Sequence, residues 1–128
     1  MIIGIGIDNV EIERIQEKVL HKPAFIAHVF SAEEQRYCEQ KTNRFESYAA
    51  RFAAKEAFLK AAGTGLLFNT ELNQITILNN AQGKPFIQLS DTLKEQLLNQ
   101  FEVPFIIHVS LSHTGSQACA VVLIETAS

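Results

Sequence analysis

Three features of the sequence predict an α+β fold, with helices packed on a mostly antiparallel sheet. IIGIGID (residues 2–8) and PFIIHVSLSHT (104–114) alternate with the period of two that marks strands. Residues 10–22, 32–41, 43–62 and 90–100 carry apolar residues at helical spacing, several behind recognisable start signals. QITILNN and FIQLS are short apolar runs joined by the Gly/Pro turn AQGKPF, the pattern of a strand pair.

In the first strand Ile3, Ile5 and Ile7 point one way, and Gly4, Gly6 and Asp8 the other. The expectation is a buried isoleucine face, with the glycine face cleared for a ligand or another backbone. Ile12, Ile15 and Val19 form the apolar stripe of the next helix, flanked by Arg14, Lys18, His21 and Lys22, until Pro23 stops or redirects it. Ser31-Ala-Glu-Glu34 fits a capping box and predicts a helix over 32–41. Asn43-Arg-Phe-Glu46 gives the asparagine variant of that signal, opening a helix to Ala62, with Gly63 placed to end it. In the second half, Leu93, Leu97 and Leu98 share a helix face. In the strand after it, Ile107, Val109 and Leu111 oppose His108, Ser110 and Ser112. GSQACAVVLIE closes the chain as a strand hairpinned to the one before.

With 128 residues and no repeat, low-complexity tract or Gly/Ser linker, residues 1–128 are expected to form one domain. The net charge of −3 argues against nucleic-acid binding. No apolar run approaches the roughly 18 residues that span a bilayer, and the N-terminus lacks the basic start of a signal peptide. Cys38 and Cys119 stand far apart with no partner spacing, which points to a reduced, cytoplasmic protein.

The chemistry begins in RFAAKEAFLKAAGTG. At about 100° per residue, Phe45, Ala49, Phe52, Glu56, Leu59, Lys60 and Gly63 fall on one face. An acid among apolar neighbours must be paired, hydrogen-bonded or metal-bound. Either Glu56 and Lys60 form an i,i+4 rim pair, or Glu56 belongs to a site. Asp8 is a second acid, able to cap a helix or to bind a metal. Two carboxylates suit Mg²⁺, which completes its shell with water and phosphate oxygens. Gly63-Thr64-Gly65 and Gly83-Lys84-Pro85 read either as a helix C-cap and a hairpin turn or, with Lys60, as backbone N–H groups and positive charge for phosphate; no Walker sequence or GxGxxG occurs. The serines and histidines of HVSLSHT lack a GxSxG elbow, which disfavours a serine hydrolase.

GIDNVEIERI, FSAEE, RFAAKEAFLKAAGTG, GKP and HVSLSHT, in this order and spacing, closely resemble the holo-[acyl-carrier-protein] synthase family, from Ile3 to Glu125. The resemblance implies a 4′-phosphopantetheinyl transferase-like fold. It implies Mg²⁺-dependent transfer of the 4′-phosphopantetheine arm of coenzyme A to a serine of apo acyl carrier protein, with release of adenosine 3′,5′-bisphosphate. It further implies a role in fatty acid biosynthesis and a homotrimer with active sites between subunits. By the same resemblance Asp8 and Glu56 are the metal ligands, and Glu56, directly or through a water, is the base. Lys60 serves the departing phosphate. Gly63, Thr64, Gly65, Lys84, Pro85, Ser112, His113 and Thr114 line the nucleotide site, and Arg51 contributes across a subunit boundary. The basic face of Arg14, Lys18, His21 and Lys22 either suits an acidic carrier or is a solvated face balanced by Glu11, Glu13 and Glu17. The phosphate-turn residue is often arginine in the family, and Lys84 keeps the charge without the bidentate fork. Two other readings use the same residues: a metal-dependent nucleotide phosphohydrolase, and a non-catalytic trimer with the polar strand as interface.

Overall fold

The computed structural model describes residues 1–63 and 70–127. Its elements are β1 (Ile2–Glu11), α1 (Ile12–His21), α2 (Pro23–Val29), α3 (Ala32–Glu39), α4 (Arg44–Ala62), a 3-10 turn (Leu72–Gln74), β2 (Ile75–Asn79), β3 (Pro85–Leu89), α5 (Asp91–Phe101), β4 (Phe105–His113) and β5 (Gln117–Thr126). β5 is central in an antiparallel sheet of order β1-β5-β4, and β2 and β3 form a separate antiparallel pair. The α+β class predicted from the sequence is the one observed.

The glycines of β1 set how the sheet meets α4. A Cβ at Gly4 would overlap the carbonyl oxygen of Ala61, and one at Gly6 that of Ala57. The face was cleared for a helix backbone. Ala53, Ala54, Ala57 and Ala61 bring α4 in, against Val10, Ala118, Ala120, Val122 and Ile124 of the sheet, all buried. The expectation of a buried isoleucine face is therefore reversed. Ile5 and Ile7 lie on the outer face and are 62% and 60% exposed. Period-two alternation identifies two faces but not which one a helix covers; the small residues decided it.

α1 buries Ile12, Ile15 and Val19, as their spacing predicts. Pro23 redirects the chain rather than only stopping it: it sits in the first turn of α2, a helix the sequence reading missed. The capping box of α3 is fully formed, with Ser31 Oγ accepting from Glu34 N and Glu34 Oε1 from Ser31 N. At α4 the expected asparagine cap is absent, because Asn43 Nδ2 donates to the Glu46 carboxylate instead. Gly63 ends α4 at φ +99°, a conformation that favours glycine. In α5, capped by Ser90, Leu93 and Leu97 are buried while Leu98 is exposed.

Candidate active site

α4 is enclosed on most sides, and the stripe of Phe45, Phe52, Glu56 and Lys60 is its open edge rather than its core face. Of the face predicted from spacing, Ala49 and Leu59 are buried, and Glu56 stands at the partly exposed edge. Asp8 lies on the helix side of β1, one pleat beyond Gly6, so close strand–helix packing carries it to that edge. The Lys60 ammonium donates to the Ile7 carbonyl at 2.9 Å and to Asp8 Oδ1 at 3.2 Å. Lys60 is thus tied to Asp8 on another element, and the alternative of a trivial i,i+4 pair with Glu56 is not what forms.

The Glu56 carboxyl is pushed above its ordinary range, first by burial and then by the neighbouring Asp8 charge, with Lys60 and Arg14 pulling the other way. Asp8, Glu56, Lys60 and Arg14 therefore share one electrostatic neighbourhood. Two neighbouring carboxylates at a partly open edge are a hard-oxygen donor pair suited to a divalent cation. Among the described residues no group of three or more His, Cys, Asp or Glu lies together as a metal cluster.

The remaining predicted residues gather elsewhere. The register runs Val10–Ala118–His113 across the sheet, so His113 is separated from β1 by β5. His113 Nδ1 lies 3.2 Å from Glu46 Oε2 at the start of α4. It lines a cleft with Tyr37, Lys41, Ser47, Arg51 and Asn79. Ser112 is exposed on the outer face. Thr114 Oγ1 accepts from Ser116 N and Gln117 N and shapes the β4–β5 turn. Lys84 in the β2–β3 turn and Pro85, the first residue of β3, line a cleft with Ile107, His108 and Val109 of β4. Thr64 and Gly65 lie outside the described residues. Arg51 is buried within its own chain, with Nη1 on Ser47 Oγ at 3.2 Å, Nη2 on Asn79 Oδ1 at 2.6 Å, and the guanidinium over the Tyr37 ring. Within a single copy these contacts, and the cleft that Arg51 lines, are what the structure shows of it.

On α1, Arg14, His21 and Lys22 are exposed; His21 leans on Glu17 at 3.7 Å, and Lys18 lies over the Phe25 ring. The sequence reading missed a second lysine–carboxylate pair. Lys55 and Glu34 are fully buried, with Nζ 2.7 Å from Oε1. The ammonium also donates to the carbonyls of Leu72 and Ile75, and Glu34 Oε2 accepts from Ile77 N. Burial pulls Lys55 down to about 8, with Glu34 opposing that shift. The capping box marked Glu34, but nothing local showed that its carboxylate would serve two partners.

The fold and the sequence as a whole match a known class. The 4′-phosphopantetheinyl transferase superfamily profile matches residues 4–122, and the chain belongs to this superfamily of transferases. Within it the similarity is to the holo-[acyl-carrier-protein] synthases. The synthase of Cytophaga hutchinsonii is 50% identical over 123 residues, covering 96% of this chain and 97% of that one. The crystal structure of the Neisseria meningitidis synthase superposes with a TM-score of 0.85 at 32% identity, covering 98% of this chain and all of that one. The Bacillus anthracis synthase in complex with CoA (3′,5′-ADP) gives 0.80 at 32% identity, covering 99% of each.

Proposed function

We propose that this chain transfers the 4′-phosphopantetheine arm of coenzyme A to a serine of apo acyl carrier protein, with residues 1–128 acting as one catalytic domain. The observation that carries the reading is the meeting of Asp8, Glu56 and Lys60 at the open edge of α4. It is supported by relatives named as synthases of the holo carrier and by a neighbour bound to coenzyme A.

In this reading Asp8 and Glu56 hold Mg²⁺, which when bound offsets the negative charge of the coenzyme A pyrophosphate. The serine oxygen forms a bond to the phosphorus bearing the pantetheine arm, and the bond from that phosphorus to the bridging oxygen breaks. Adenosine 3′,5′-bisphosphate leaves. Glu56, directly or through a water, takes the serine proton, and its raised pKa suits that task. Lys60 already holds a carboxylate oxygen at this edge and meets the charge that grows on the departing phosphate. Gly63, Thr64, Gly65, Lys84, Pro85, Ser112, His113 and Thr114 line the nucleotide, and Arg14, Lys18, His21 and Lys22 receive the acidic carrier.

The Asp8 and His113 groups sit on opposite strands of one sheet with β5 between them, which favours a site completed by a second copy. The outer face exposes Ile5, Ile7, Ile106 and Val121, an apolar area suited to burial in a homotrimer. Among the described residues no helix is long and apolar enough to cross a membrane. A cytoplasmic role in fatty acid biosynthesis completes the proposal.

The test is mass spectrometry of apo carrier incubated with the protein, coenzyme A and Mg²⁺. The carrier gains one phosphopantetheine, and Glu56→Gln loses about 10²-fold or more of the rate. Cleavage of the nucleotide without transfer would establish the phosphohydrolase reading instead.

A further inference from the structure

The β2–β3 turn is built from asparagines. Asn80 closes it from within: its backbone N–H donates to the Lys84 carbonyl, its carbonyl accepts from Gly83 N, and its Oδ1 accepts from Gln82 N and Lys84 N. These bonds set the shape of the turn but not its place on the molecule. Asn79 ties the turn directly to α4. Asn79 Oδ1 accepts from the buried Arg51 guanidinium at 2.6 Å, and Asn79 Nδ2 donates to the Gly83 carbonyl at 2.9 Å. Arg51 is in turn fixed by Ser47 and the Tyr37 ring on the far side. A charged donor to a side-chain amide is a strong leg, and the residue it holds stands one peptide before Lys84.

We propose that Asn79 is a positioning residue for coenzyme A: it transmits the fixed place of Arg51 to Gly83 and so holds Lys84 where the nucleotide phosphates arrive. The inference rests on the reading of Lys84 as a nucleotide contact. Asn79 touches no reacting atom, and it tightens binding by sparing Lys84 the ordering of its own turn. Arg51 sits one helical turn before Lys55 and Glu56 on α4, so the same helix that carries the acid also sets the lysine turn.

The measurement is a double-mutant cycle on coenzyme A binding by calorimetry, with kcat followed in parallel. Asn79→Ala raises the Kd roughly 3- to 10-fold, the scale of one or two modest hydrogen bonds, while kcat stays within about twofold. Asn79→Asp keeps an acceptor for Arg51 but cannot donate to Gly83, so it behaves like Asn79→Ala. In a Lys84→Ala background, Asn79→Ala adds nothing further, because the group it positions is gone. Additive effects, a normal Kd in Asn79→Asp, or a loss confined to kcat would each overturn the proposal. If Lys84→Ala alone leaves the Kd unchanged, the reading of Lys84 falls and the proposal with it. If Lys84→Ala weakens binding while Asn79→Ala does not, only the role of Asn79 falls.

Discussion

Two lysines of α4, five residues apart, each hold a carboxylate from another element, and their surroundings are opposite. Lys55 and Glu34 are fully enclosed. The ammonium has three acceptors and the carboxylate has backbone donors besides, so the pair has no capacity left for a ligand. Lys60 is half exposed, and its partner Asp8 stands beside a second acid that it opposes electrostatically. A buried pair must be satisfied completely to be tolerated, whereas an open pair can remain incomplete because water makes up the difference. In the proposed reading the incomplete pair is the one that takes a metal and a phosphate.

The largest effect should come from breaking the enclosed pair. Lys55→Met leaves the Glu34 charge buried without its cation and lowers the unfolding free energy by about 3–5 kcal/mol, read by urea denaturation. Adding Glu34→Gln recovers part of that loss, since the glutamine oxygen still accepts from the backbone. Next comes Gly6→Ala, whose Cβ would overlap the Ala57 carbonyl. It forces β1 off α4 at a cost of about 3 kcal/mol and separates Asp8 from Glu56, so stability and transfer fall together. A smaller effect is expected from Lys60→Met, which changes stability by less than about 1 kcal/mol.

The smallest effect has a sign fixed by linkage. Glu56 has its folded pKa raised, so its protonated form favours folding, and that stability is lost as pH rises through the folded value. In metal-free buffer Glu56→Gln is therefore at least as stable as the parent at pH 7. Its advantage shrinks as pH falls toward the ordinary carboxylate range. Thermal melts across that window check this, and an advantage that grows on acidification would contradict it.

Much of this was legible in the sequence where a local rule carries it. The Ser31 capping box, the extent of α4 to Ala62, the turn around Gly83 and the alternation of β4 all appear as read. Asp8 and Glu56 were identified as a pair, largely through the resemblance of whole motifs. The failures are tertiary. Alternation in β1 could not say that α4 would cover the glycines. Helical spacing could not say that the stripe of Glu56 is the open one. Glu34–Lys55 spans 21 residues and Arg51–Asn79 spans 28, and no local pattern encodes either meeting. Thr64 and Gly65 remain known only from the motif.

The most direct test of the contrast between the pairs is calorimetric titration of Mg²⁺ into the protein with coenzyme A present. The parent should bind the metal, Asp8→Asn and Glu56→Gln should each lose most of that binding, and the folded Glu34→Gln/Lys55→Met variant should keep it. Undiminished metal binding by Asp8→Asn and Glu56→Gln would contradict the assignment of the open edge of α4 as the catalytic site.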